Sequence, residues 1–156
     1  MQAELEIQRA TTSTDTPADE QFHHWINAVP TELQHELQLS IRIVDEPEAR
    51  RFNRDYRNRD YATNVLSFPA DLPEGLPAEV RGSQLGDLLI CAPVVVREAR
   101  ERKRPVTDHW AHLTIHGVLH LLGYDHEQDA DAVIMELKET GILKSLGVPD
   151  PYVEKT

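Results

Sequence analysis

The chain has 156 residues, 40% of them apolar, and a formal net charge of −11. That length can bury a core. No run approaches the roughly 18 apolar residues of a membrane span, and the acidic excess argues against wrapping nucleic acid by bulk electrostatics. Cys91 is the sole cysteine, which excludes an intrachain disulfide, and its apolar neighbours mark it as a small core residue. The N-terminal stretch MQAELEIQRA lacks the apolar segment of a signal peptide, so a cytoplasmic protein is expected.

Residues 3–9 alternate and predict a first strand. Thr16, Pro17 and Asp19 read as an N-cap, a proline in the first turn and an early acid, opening a helix to about Val29. Phe22, Trp25, Ile26 and Val29 share one side of it. Pro30-Thr31 starts a short helical segment to about Leu37, and residues 39–44 alternate as a second strand. Asp45-Glu46-Pro47 opens an arginine-rich helix to about Tyr56, followed by a loop over 57–62. Residues 63–68 form a third strand stopped by Pro69, and residues 70–83, with Pro73, Gly75, Pro77 and Gly82, form a long surface loop. Residues 85–91 are a fourth strand, and Pro93 opens a helix to about Lys103. A further helix, capped by Thr107 or Asp108, ends near Leu122. The last begins at Gln128-Asp129 and is ended or interrupted by Gly141, with a loose tail from about residue 147. The order β-α-β-α-β-β-α-α-α predicts a single α+β domain over 1–156, a small mixed sheet of roughly four strands packed with about five helices.

The segment HGVLHLLGYDH concentrates the chemistry. His116 and His120 stand four apart on one helix face, Gly123 can take a positive φ and end that helix, and the returning chain can bring His126 to the same point. Three imidazoles converging in this way form a metal site with a fourth position open, the mark of a catalytic rather than a structural zinc. The spacing is that of the metzincin proteases, except that Gly117 stands where they carry the glutamate base. The ligands survive and the protease's carboxylate does not. Zinc is the expected ion, because imidazole suits it, although nickel, copper and iron also accept such ligands.

The same segment resembles, at every fixed position, the signature H-G-x-L-H-L-x-G-Y-D-H of the bacterial YbeY family of single-strand-specific endoribonucleases. Tyr56-Arg57 with TNVLSFP (63–69) and LGDLLIC (85–91) resemble two further blocks of that family. The resemblance implies a metalloprotease-like scaffold in which the histidine helix lies beneath the sheet and substrate runs along an edge strand. It implies a zinc-dependent endoribonuclease with one Zn2+ per chain, acting on single-stranded RNA in ribosomal RNA (16S 3′ end) maturation and in ribosome quality control. Ribosomal proteins or an assembly GTPase are the implied partners, with no membrane and no DNA. His116, His120 and His126 are the expected ligands, and Arg57 and His116 the expected catalytic residues.

Arg57 suits that role, since a guanidinium is always charged and grips two phosphate oxygens at once. Arg50, Arg51, Arg54 and Arg59 surround it, either as a basic patch or as a solvated face paired with acids such as Glu46, Glu48 and Asp55. His109 and His112 continue the histidine stripe and read as structural hydrogen-bonding residues. Asp125 reads as a turn residue or an acceptor fixing an imidazole. Ser67 reads as strand structure or a substrate contact. Asp87, a charge in an apolar strand, needs a partner if buried and could orient the histidine helix or the arginine loop. His23, His24 and His35 read as surface residues. Two other functions remain open on these residues, a metallopeptidase-like hydrolase and a ribosome-assembly binding protein with a structural metal.

Overall fold

A computed structural model of the chain describes residues 2–30, 37–70, 84–124 and 127–152. Four strands, β1 (Ala3–Ala10), β2 (Leu37–Val44), β3 (Val65–Pro69) and β4 (Gln84–Cys91), form one mixed sheet in the order β1-β2-β4-β3. β1 pairs parallel with β2 and β2 with β4, whereas β3 returns antiparallel along the outer edge of β4. Five helices are seen among the described residues: α1 (Asp19–Asn27), α2 (Glu46–Arg57), α3 (Ala92–Glu101), α4 (Val106–Leu121) and α5 (Asp129–Ser145). The α+β class, the element order and the size of the sheet agree with expectation. No helix among the described residues is long and apolar enough to cross a membrane.

The apolar run of β4 follows from its place in the sheet. Leu88 and Ile90 point into the larger core with Leu39, Ile41 and Ile43 of β2, while Leu89 and Cys91 point to the other face, against Val44, Ala49 and Val94. A strand covered on both faces has no solvent side on which to place polar residues. On the larger side, Phe22 and Trp25 of α1 pack with Trp110 of α4, and the Phe22 and Trp110 rings meet edge to face at 6.2 Å. Each such side chain, fully buried, contributes on the order of 1.5–3 kcal/mol.

The central helix is α4. Eleven of its residues are buried, including His109, His112 and Thr114, so it is enclosed almost all round. A helix with no solvent face must satisfy its polar side chains inside the protein. It lies against β3, β4, α1, α3 and α5, and at Gly117 it approaches the sheet closely. A Cβ there would stand 2.7 Å from Leu88 Cδ2 and 3.4 Å from Ser67 Oγ, and Ser67 Oγ donates to the Gly117 carbonyl at 3.2 Å. The helix ends where expected, with Gly123 at φ +104.

Several local expectations are corrected. The residue preceding α1 is Ala18, not Thr16; the Ala18 amide donates to the Gln21 side chain at 3.2 Å, while Thr16 and the Pro17 carbonyl accept from Arg9. Neither Thr107 nor Asp108 caps α4, which starts directly after Pro105. Pro69 ends β3 from within, paired with Gly86 on an edge where a proline costs no ladder bond. Leu37 opens β2 rather than closing a helical segment, and residues 31–36 lie outside the described residues. So do residues 71–83 of the expected long loop. Gly141 does not interrupt α5: buried Met135, Glu139, Ile142 and Leu143 flank it, and their packing outweighs the roughly 1 kcal/mol that glycine costs in a helix. Residues 147–152 depart from the expected loose tail. Val148 is buried, Arg104 donates to the Pro151 carbonyl, and Tyr152 reaches Glu139.

Candidate active site

α4 presents its histidines in two sets. His109 and His112 face inward and are held by carboxylates, as expected of structural residues. His109 Nε2 bonds Glu98 at 2.9 Å, and His112 Nε2 bonds Glu139 at 3.1 Å. Burial pulls the His112 pKa down against the opposing pull of Glu139, so this ring is neutral and donates its N–H to the carboxylate.

His116 joins the buried set to the cleft. Its Nδ1 bonds the second Glu139 oxygen, while its Nε2 faces His120 Nε2 at 3.0 Å. Two imidazole nitrogens bound to one tetrahedral ion, with metal–nitrogen bonds of about 2.0–2.1 Å, stand roughly 3.3 Å apart. The His116–His120 pair therefore fits such an ion. His126 and Asp125 lie outside the described residues.

Glu139 is the residue that sequence reasoning misses. Its side chain is fully buried and accepts from His112, His116 and the Tyr152 hydroxyl. Burial alone would raise its pKa, but these three donors outweigh it and bring the value down to about 2. Burial and the Glu139 charge push the Tyr152 phenol up, so it stays a donor. A carboxylate on Nδ1 fixes the tautomer of His116 and leaves the lone pair on Nε2, as carboxylates do behind metal-binding histidines. The available signal was one acid on the buried stripe of α5, in line with Met135 and Ile142. His112, His116 and Glu139 have ligand atoms within 4.8 Å of one another, a grouping able to hold a metal. Both Glu139 oxygens are already engaged with imidazole nitrogens, however, whereas His116 and His120, which meet through their Nε2 atoms, also line an open space.

That space is a cleft of about 500 Å3 between α4 and the edge strand β3, lined by His116, His120, Ser67, Tyr56 and Arg57 among others. Arg57 is the last residue of α2, a place that favours a cation. The chain then turns through Asn58, whose φ of 56 forms a left-handed cap. Buried Asn53 pins the following loop, donating to the Tyr61 carbonyl at 2.8 Å. Asn64 pins its far end: its side chain donates to Glu98 at 3.1 Å and its carbonyl accepts from Cys91 at 2.9 Å. Glu98 is the partner of His109, so one polar chain links the start of β3 to the histidine helix. Burial raises the Glu98 pKa, but His109 and Asn64 overcome it and keep the group charged.

The arginine cluster divides. Arg50 makes a bidentate pair with Asp60 at 2.7 and 3.0 Å, and Arg54 meets Asp55 at 3.3 Å. Glu46 and Glu48 instead bind Arg97 and Arg42. Arg57 is exposed and has no ion pair or hydrogen bond among the described residues. Asp87 orients neither the helix nor the loop; it is exposed and accepts from Ser40. His24 is exposed and His23 half-buried, and His35 lies outside the described residues.

Comparison with known proteins agrees with this architecture. The family model for endoribonuclease YbeY matches residues 4–147. The chain is 53% identical over 154 residues to the endoribonuclease YbeY of Halorhodospira halophila, covering 98% of this chain and 99% of that protein. It is 52% identical over 149 residues to that of Stenotrophomonas maltophilia, covering 96% and 92%. The fold is similar to the solution structure of TM1509 from Thermotoga maritima, with a TM-score of 0.60 and 25% identity over 90% of this chain and 89% of that one. Since the match runs through the arginine corner, the edge strand and the histidine helix alike, this chain belongs to the endoribonuclease YbeY family.

Proposed function

We propose that this protein is a zinc-dependent endoribonuclease that cuts single-stranded RNA in the cytoplasm, in ribosomal RNA maturation and ribosome quality control. The observation that carries the reading is the cleft: the facing Nε2 atoms of His116 and His120 lie on one wall, with Arg57 and edge strand β3 around them. His116, His120 and His126 would hold one zinc ion, and the whole chain, 1–156, acts as a single hydrolase domain. A zinc ion bound there supplies Lewis acidity toward a phosphate oxygen and lowers the pKa of a water to about 7.

The chain's own residues do the rest. Glu139 holds His116 by Nδ1, so that Nε2 points into the cleft. Arg57, uncommitted to any acid among the described residues, grips the phosphate as charge builds on it. The outer edge of β3 gives an extended strand a surface to lie along. A chain of this acidity relies on such a local contact to hold RNA.

A peptidase is disfavoured by Gly117. It lacks a carboxylate, and any side chain there would displace buried Leu88, since a Cβ would stand 2.7 Å from Leu88 Cδ2. Ribosomal proteins or an assembly GTPase remain the proposed partners. The test is direct: purified protein is offered single-stranded RNA, duplex RNA and casein. Cleavage of the single strand alone is expected; cleavage of casein with RNA left intact would overturn the reading.

A further inference from the structure

Tyr56 is 67% exposed at the rim of the cleft, although it stands in an aromatic cluster. Its ring lies nearly parallel to that of Phe52, one helical turn earlier in α2, with centroids 5.8 Å apart and an angle of 11°. Phe68 of β3 meets it edge-on at 5.2 Å, and Phe52 and Phe68 meet at 6.1 Å. Phe52 and Phe68 in turn pack on the smaller core of Val44, Leu66 and Leu89. The ring is thus held from behind and from one edge, while most of its surface meets solvent. Exposing so much aromatic area forgoes burial energy, and neighbouring Arg57 has no partner among the described residues. A fixed aromatic plane beside a cation is the pairing by which proteins hold unpaired nucleotides: the ring stacks a base and the cation takes its phosphate.

We infer that Tyr56 is a base-stacking platform, on which a nucleobase next to the scissile phosphate lies while Arg57 holds that phosphate. This rests on the endoribonuclease reading and deepens it, because a paired base is not available to stack and the platform therefore selects single strands. Tyr56 acts through its ring face, with Phe52 and Phe68 as its supports. Sequence-tolerant binding follows, since every base presents a π-face.

The test uses the full chain and a six-nucleotide 2′-O-methyl RNA oligomer, which reports binding without requiring cleavage. Tyr56→Leu keeps the packing on Phe52 and Phe68 and removes the flat ring. It is expected to weaken binding by about 5- to 150-fold. Tyr56→Phe should stay within about 2-fold, because the hydroxyl makes no part of the stack. A scan of abasic oligomers supplies the second arm. At one position the missing base should cost wild type about as much as Tyr56→Leu does, and cost the Tyr56→Leu variant nothing more, since the two lose the same contact. If Tyr56→Leu binds like wild type, or the two losses simply add at every position, the platform is wrong while the nuclease reading stands. If wild type neither binds the oligomer nor cuts RNA, both fall together.

Discussion

Glu139→Ala removes the acceptor shared by three donors, and the consequences separate into two measurable parts. The first is stability. His112 is only 6% exposed, and its Nε2 bonds Glu139 at 3.1 Å, so the variant leaves a buried N–H whose remaining contact is the Tyr152 hydroxyl at 3.5 Å, too long to replace the carboxylate. Leaving a buried donor unsatisfied costs about 1–3 kcal/mol. At a midpoint of about 2 kcal/mol, Tm should fall by roughly 4–8 °C in a domain of this size. The second part is metal affinity. With no carboxylate on Nδ1, the His116 ring loses its fixed tautomer, and losses of this kind typically cost about 10–100-fold in affinity. Calorimetric unfolding of the metal-free variant reads the first part, and competitive zinc titration reads the second. Glu139→Gln keeps one acceptor oxygen and should fall between the variant and wild type in both. A Glu139→Ala protein that unfolds at the wild-type temperature and binds zinc within 2-fold of wild type would refute the role assigned to this carboxylate.

Gly117→Ala should lower stability by about 1–3 kcal/mol by overpacking against Leu88, despite alanine's higher helix propensity; a urea midpoint at or above that of wild type would mean the helix does not approach the sheet so closely. Arg57→Ala should leave the urea midpoint unchanged, since Arg57 is exposed and unpaired among the described residues, and should slow RNA cleavage by about 100- to 1,000-fold; equal rates in a single-turnover assay would remove Arg57 from the mechanism. Acid should destabilise the protein through Asp45 and Glu48. Hydrogen bonds from Thr11 and Thr12 hold the Asp45 pKa below its ordinary 3.8, and Arg42 holds Glu48 below 4.5. Their stabilisation is therefore complete above the ordinary carboxylate range and is lost as pH falls through the depressed values. Urea midpoints at pH 6 and 3 should differ more for wild type than for Asp45→Asn, and identical differences would count against this account.

What was legible in the chain follows the range of the interactions. The His116–His120 spacing, the turn at Gly123 and the apolar face of α1 are local, set by residues within about two helical turns, and they are visible in the chain itself. Gly117 stands in the sequence where a metzincin carries its base; its tight contact with Leu88 depends on how α4 meets β4 and leaves no mark in spacing. Glu139 and Tyr152 lie 23 and 36 residues beyond His116, and only the packing of α5 on α4 and the fold of residues 147–152 bring them to it. Gly141 looks like a helix stop by propensity alone, whereas the burial of Glu139, Ile142 and Leu143 around it carries α5 through. The basic cluster was ambiguous for a related reason. Asp60, which takes Arg50, is ten residues away on a loop whose path depends on the buried Asn53 side chain.

The central claim is that His116 and His120 hold a zinc ion on which RNA cleavage depends. The most direct measurement is the zinc content and single-stranded RNA cleavage rate of wild type and His116→Ala, each stripped of metal and then reloaded. The account predicts about one zinc per wild-type chain, activity lost on stripping and regained on reloading, and neither zinc nor cleavage in a folded His116→Ala protein. Undiminished cleavage by stripped wild type, or by a zinc-free His116→Ala protein, would contradict it.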